Sequence, residues 1–117
     1  MNPIYDRRGR VVAWQDDENI YHLNGQHAAV IDAGNVYGHR GRHLGVLDGG
    51  FFRCHRGGAV AFFDGARGGP VLPIPTIPPI PPIPAIPPIP AIPSIPPIPA
   101  IPSLGWSQVE WKQFISG

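Results

Sequence analysis

The sequence predicts an all-β fold of four sixteen-residue β-hairpin repeats, closed or arranged radially about a pseudo-four-fold axis, followed by a polyproline II segment and a short C-terminal helix. Three observations predict it. Gly9, Gly25, Gly41 and Gly57 recur at a spacing of sixteen, and so do Asp16, Asp32, Asp48 and Asp64. Isoleucine then recurs every third residue from Ile74 to Ile101, each time followed by proline. Beyond Gly105 the apolar residues fall on one side of a short helical pattern. The expected boundaries are 1–69 for the hairpin domain, 70–104 for the polyproline segment and 105–117 for the helix.

Further columns support the hairpin repeat. Ile4, Ile20, Val36 and Phe52 stand five residues before each glycine, and Tyr5, Tyr21 and Tyr37 one later, with Arg53 breaking the set. Sixteen residues are too few for a helix pair, but they accommodate two strands of about five residues and two turns. Glycine after Arg8, Asn24, Arg40 or Arg56 supplies the positive φ of a hairpin turn, Asn24-Gly25 being the strongest such signal. The aspartate column opens the second turn, where a short carboxylate bonds to nearby amides. A two-residue hairpin loop sets His22 opposite His27 and sorts the strands by parity. One face then holds Ile4, Ala13, Ile20, Ala29, Val36, Phe52 and Ala61, and the other Tyr5, Val12, Tyr21, Ala28, Tyr37, Leu44 and Val60. Both are apolar, so something outside the hairpins must cover one of them.

The second element is built of ten Ile-Pro-x triplets, carrying Ile74, Ile77, Ile80, Ile83, Ile86, Ile89, Ile92, Ile95, Ile98 and Ile101. Polyproline II has three residues per turn, which aligns these isoleucines on one stripe, and thirty residues of it extend about 93 Å. Burying ten isoleucines is worth on the order of 15–30 kcal/mol before ordering costs, so the stripe is expected to pack on the hairpin domain or on neighbouring chains. Collagen-like winding is excluded because no glycine falls within the triplets. In the third element Ser107 reads as an N-cap with Glu110 completing a capping box, and Trp106 and Trp111 anchor the end of the rod.

Composition narrows the function. Lys and Arg total 9 against 8 Asp and Glu, a net charge of +1, which argues against nucleic acid and anionic membranes. Pro and Gly total 17 and 15 of 117 residues, which is why a period had to be sought. The single cysteine excludes an internal disulfide, and the N-terminus lacks the features of a signal peptide, so a cytoplasmic location is expected. A membrane span is excluded because prolyl carbonyls go unsatisfied in lipid. All four serines lie in the tail, no nucleophile elbow and no phosphate loop is present, and no enzymatic activity is expected.

Two binding constellations remain. Parity places Asp6, His22, His27, His43 and Cys54 on one face, where the three histidines and Cys54 could converge on an ion such as zinc at the pseudo-four-fold centre; otherwise no cofactor is expected. Tyr5, Tyr21 and Tyr37 with Arg7, Arg10 and Arg42 could form a stacking platform for bases, although their apolar neighbours favour core tyrosines. The function that follows is a non-enzymatic structural, assembly or protein-interaction module that self-associates through the Ile-Pro segment, with ligand or metal binding at the centre of the β domain as the alternative.

Ile4-Tyr5-Asp6 with Gly9, Asn19-Ile20-Tyr21 with Gly25, Asn35-Val36-Tyr37 with Gly41-Arg42-His43-Leu44-Gly45, the Gly-Pro junction at 69 and 70, and Trp106-Ser107 with Trp111 together resemble the four-fold β-flower proteins. The resemblance covers nearly the whole chain. It implies four hairpins arranged like petals and carries over no catalytic residue. Phe52-Arg53 departs from the pattern in the fourth unit, as does the regularity of the Ile-Pro run.

Overall fold

Eight short strands close on themselves in a computed structural model that describes residues 1–89 and 91–116; Pro90 and Gly117, in the expected polyproline segment and helix, lie outside the described residues. The strands are β1 (Asn2–Asp6), β2 (Val11–Asp16), β3 (Asn19–Tyr21), β4 (His27–Asp32), β5 (Asn35–Tyr37), β6 (His43–Asp48), β7 (Phe51–Arg53) and β8 (Ala59–Phe62). They form a barrel in chain order, each antiparallel to its neighbours, with β8 returning to β1. Each sixteen-residue unit is one hairpin. Closure leaves no sheet edge to be protected.

The glycine turns differ from expectation by one residue. In the second unit the His22 amide donates to the Gln26 carbonyl and the Gly25 amide to the His22 carbonyl, which makes a three-residue loop, Leu23-Asn24-Gly25. The other units repeat these bonds, and all four glycines have positive φ. The extra residue is absorbed by a bulge: Tyr21 faces His27, but Ile20 faces Ala29. Beyond the bulge the register is therefore the one a two-residue loop gives, and Ile4, Ala13, Ile20, Ala29, Val36, Phe52 and Ala61 fill the barrel as expected. Within the bulge the faces exchange. Ala28, Leu44 and Val60 join the interior cluster, while His27 and His43 turn outward beside Tyr21 and Tyr37. A bulge makes two residues oppose one, and parity counting does not detect it.

The helix α1 is shorter than expected, Trp111–Ser116, and closes the barrel end that carries the glycine turns. Trp111 and Phe114 pack on Phe52, their ring centroids 5.4 and 6.4 Å from it. The helix cannot begin at Ser107, because Gly105 and Ser107 are already bonded to both sides of Ala59 in β8. The capping pair is instead Glu110, whose amide donates to the Gln113 side chain, and the Glu110 carboxylate is held 2.5 Å from Arg7. Gly45 makes room for α1, since a Cβ there would lie 2.6 Å from the Phe114 ring.

The polyproline segment lies against its own barrel, but by its backbone. The amides of Thr76, Ala85, Ser94 and Ser103 donate to the carbonyls of Gly9, Gly25, Gly41 and Gly57 at 2.8–3.0 Å. A step of nine residues in the tail thus matches a step of sixteen in the barrel. Three such steps carry the tail from the first hairpin loop to the fourth, around the barrel. The whole chain measures 36 × 36 × 21 Å, a disc with the tail as its rim. Of the two destinations expected for the stripe, the hairpin domain is not taken: the ten isoleucines are 89–96% exposed in the single chain. The side of the rod bearing their carbonyls is turned to the barrel, which leaves their side chains on the other.

Candidate functional site

The feature that the sequence singles out and the fold completes is this girdle. Its seating explains the glycine column twice over, because the positive φ of Gly9, Gly25, Gly41 and Gly57 suits the loop and any Cβ there would collide with the carbonyl oxygen of Ile74, Ile83, Ile92 or Ile101. Only the four docking positions of the rod need an N–H. Proline is excluded there and tolerated at most of the other third positions. Thr76 adds a hydroxyl bond to the Gly9 carbonyl.

Arg53 closes the ring. It stands where the other units have tyrosine, is 1% exposed, and donates to the carbonyls of Gly57 (2.7 Å), Ser103 (2.7 Å) and Gly68 (3.0 Å). Gly68 begins the girdle and Ser103 ends it, so one guanidinium fork ties both ends to the fourth hairpin. The asymmetry of that unit is the mark of the seam. Trp106 belongs to the same seam and covers Phe51 and Phe62 on the outside of the barrel.

Between barrel and girdle, cavities of unequal size lie at corresponding positions of successive repeats among the described residues. The first, of 440 Å³, is lined by Asn19, His27, Val30, Tyr37 and His39 from the barrel and by Ile89, Ile92 and Pro93 from the rod. The second, of 900 Å³, is lined by Asn35, His43, Val46, Arg53 and His55 together with Ile98, Ile101 and Pro102. Each contains a relay: His27 bonds Asn19 (2.8 Å) and His39 (2.9 Å), and His43 bonds Asn35 (2.9 Å) and His55 (3.0 Å). With the asparagine oxygen accepting, the central imidazole holds its proton on Nε2 and accepts from its partner on Nδ1. Burial, then the rings of His39 and His22, holds His27 below the usual histidine value; burial and His55 do the same to His43.

Several expected sites are rearranged. His22, His27, His43 and Cys54 do not converge: two belong to separate relays, and Cys54 lies 3.4 Å from the Ser107 hydroxyl. Among the described residues no three His, Cys, Asp or Glu side chains are placed to hold a metal. Burial raises the Cys54 pKa, but the Ser107 hydroxyl and nearby backbone amides outweigh it and leave the thiol lowered. Tyr5, Tyr21 and Tyr37 are at most 5% exposed, so they offer no face to a base. Burial, aided by Asp64 and Asp16 respectively, raises Tyr5 and Tyr21 and keeps them neutral. The open end of the barrel is a mouth of 540 Å³ with Ile31, Leu47 and Phe63 in its wall. No described helix is long and apolar enough to cross a membrane.

Sequence reasoning missed the docking code and the relays, although both left a signal. Thr76, Ala85, Ser94 and Ser103 recur every nine residues, and Asn19/Asn35, His27/His43 and His39/His55 every sixteen. A family model described as 4-fold beta flower protein matches residues 2–115. Comparison with curated proteins and with solved structures returns no match.

Proposed function

The chain belongs to the 4-fold beta flower protein family, and from that premise we propose that it is a non-catalytic assembly module whose isoleucine girdle binds the girdles of further copies. The observation that carries this is the exposure of ten isoleucines at 89–96% on a rod fixed to a rigid barrel. At 1.5–3 kcal/mol and about 25 cal/mol per Å² each, these side chains present roughly 600–1,200 Å² of apolar surface, above the 300–600 Å² typical of the largest patch on a monomer. No charge interrupts the chain between Arg67 and Glu110, so rim meets rim without desolvating an ion. The docking bonds already hold the girdle against its own barrel, so association through it does not have to order a free tail.

The test is the mass of the full chain by light scattering beside Ile77→Thr/Ile86→Thr/Ile95→Thr, three positions between docking points. The intact chain is expected to be oligomeric and the variant smaller, with the same circular dichroism and melting temperature. An intact chain that stays monomeric at concentrations of tens of micromolar would overturn the reading.

A further inference from the structure

The charges of the disc are sorted by end. Asp16, Asp17, Glu18, Asp32, Asp48 and Asp64 lie at the turns between hairpins, all exposed, with Arg67 as the single cation beside them, giving that end a net charge of −5. Arg7, Arg8, Arg10, Arg40, Arg42 and Arg56 lie at the hairpin loops on the opposite end, with Lys112 of α1; against Asp6 and Glu110 they give +5. Buried Arg53 makes up the total of +1. A near-neutral chain is therefore strongly dipolar along its 21 Å axis. The repeat itself creates this, since each unit delivers its aspartate to one end and, in three units of four, arginines to the other.

We propose that copies of this chain stack end to end, the acidic mouth of one disc on the basic, helix-capped end of the next. Opposed fields of this kind steer association and fix orientation. Three features point to a second copy: the two ends are equal and opposite in charge, each is built from the turns of the same four repeats, and the acidic end leaves Ile31, Leu47 and Phe63 half-covered around its mouth. The contact is heterologous, joining unlike surfaces on opposite sides of the molecule, so it builds a column lengthening by about 21 Å per copy instead of a closed dimer. The arginines flank the glycines on which the girdle is seated, but the contact they make is ionic and that of the isoleucines apolar, so the two respond oppositely to salt.

The experiment uses the full chain in light scattering from about 0.01 M to about 1 M salt, over which the Debye length falls from about 30 to about 3 Å. Stacking predicts a mass at least about twofold higher at low salt, whereas association through isoleucines is not weakened by salt. Two charge-reversed variants complete the test. Asp16→Lys/Glu18→Lys/Asp32→Lys and Arg40→Glu/Arg42→Glu/Arg56→Glu change exposed side chains that make no hydrogen bond or ion pair among the described residues. Each variant alone should lose the low-salt mass, because its altered end keeps a charge of only +1 or −1 of the same sign as its other end, and mixing the two should restore a paired mass, because the intact +5 end of one then meets the intact −5 end of the other. A mass independent of salt overturns the proposal even if the protein is oligomeric, and so does a mixture of folded variants that fails to recover.

Discussion

Replacing Ser94 by proline should detach the girdle from the third hairpin while leaving the rod's conformation alone. Residue 94 follows Pro93 in an Ile-Pro-x triplet, and Ile77-Pro78-Pro79 shows that proline already occupies that position elsewhere in the run. What changes is the amide, which donates to the Gly41 carbonyl at 2.8 Å. Losing one such bond costs about 0.5–1.5 kcal/mol, and leaving the carbonyl of a buried residue without a partner raises the total to about 1–3 kcal/mol. The ring's Cδ would also occupy the place of the lost proton and hold the rod off Gly41, so the upper half of that range is expected. For a chain of this size a change of 1 kcal/mol moves the melting temperature by about 4 °C, so the upper half of the range sets the expected drop at roughly 8–12 °C. Ala91→Pro is the control, because its amide has no backbone partner among the described residues, and it should stay within about 0.5 kcal/mol of the parent. Hydrogen exchange gives an independent readout: the amides of Ala85 and Ser94 should be protected and that of Ala91 should exchange freely. Equal effects at 91 and 94 would refute the docking code.

The seam, the cap, the second turns and the relays each yield a further expectation. Arg53→Met leaves the carbonyls of Gly57, Gly68 and Ser103 without their charged donor and should cost about 3 kcal/mol in chemical denaturation. Gly45→Ala drives a methyl into Phe114 and the Arg53 carbonyl, so the near-ultraviolet dichroism of Trp111 should change with a loss of about 1–3 kcal/mol. Ala33 is held at φ 49°, and Ala33→Gly should raise stability by up to about 1 kcal/mol. His27 and His43 have folded pKa values below the unfolded value of about 6.5, so the unfolded chain binds more protons; stability is flat above that pH and falls as acid is added below it. His27→Gln/His43→Gln should flatten the plot of melting temperature against pH in that window.

The periods of sixteen and three determined the elements by themselves. They placed four hairpins, their turns and the inward set from Ile4 to Ala61, because alternation along a strand is a local property that survives a bulge once the loop compensates for it. The isoleucine stripe was legible for the same reason, since a three-residue helix aligns every third side chain whatever it rests on. Tertiary structure decided where the stripe points. That choice depends on hydrogen bonds between residues 67 positions apart, Thr76 with Gly9, and a rod in which proline has removed nearly half of the donors can dock only where an amide remains and faces the barrel. It also decided that His27 and His43 face out to His39 and His55 instead of converging on an ion, because the bulge that turned them is forced by the loop and by closure of the barrel. The start of α1 was displaced likewise, Ala59 having claimed the backbone of Gly105 and Ser107 before a helix could.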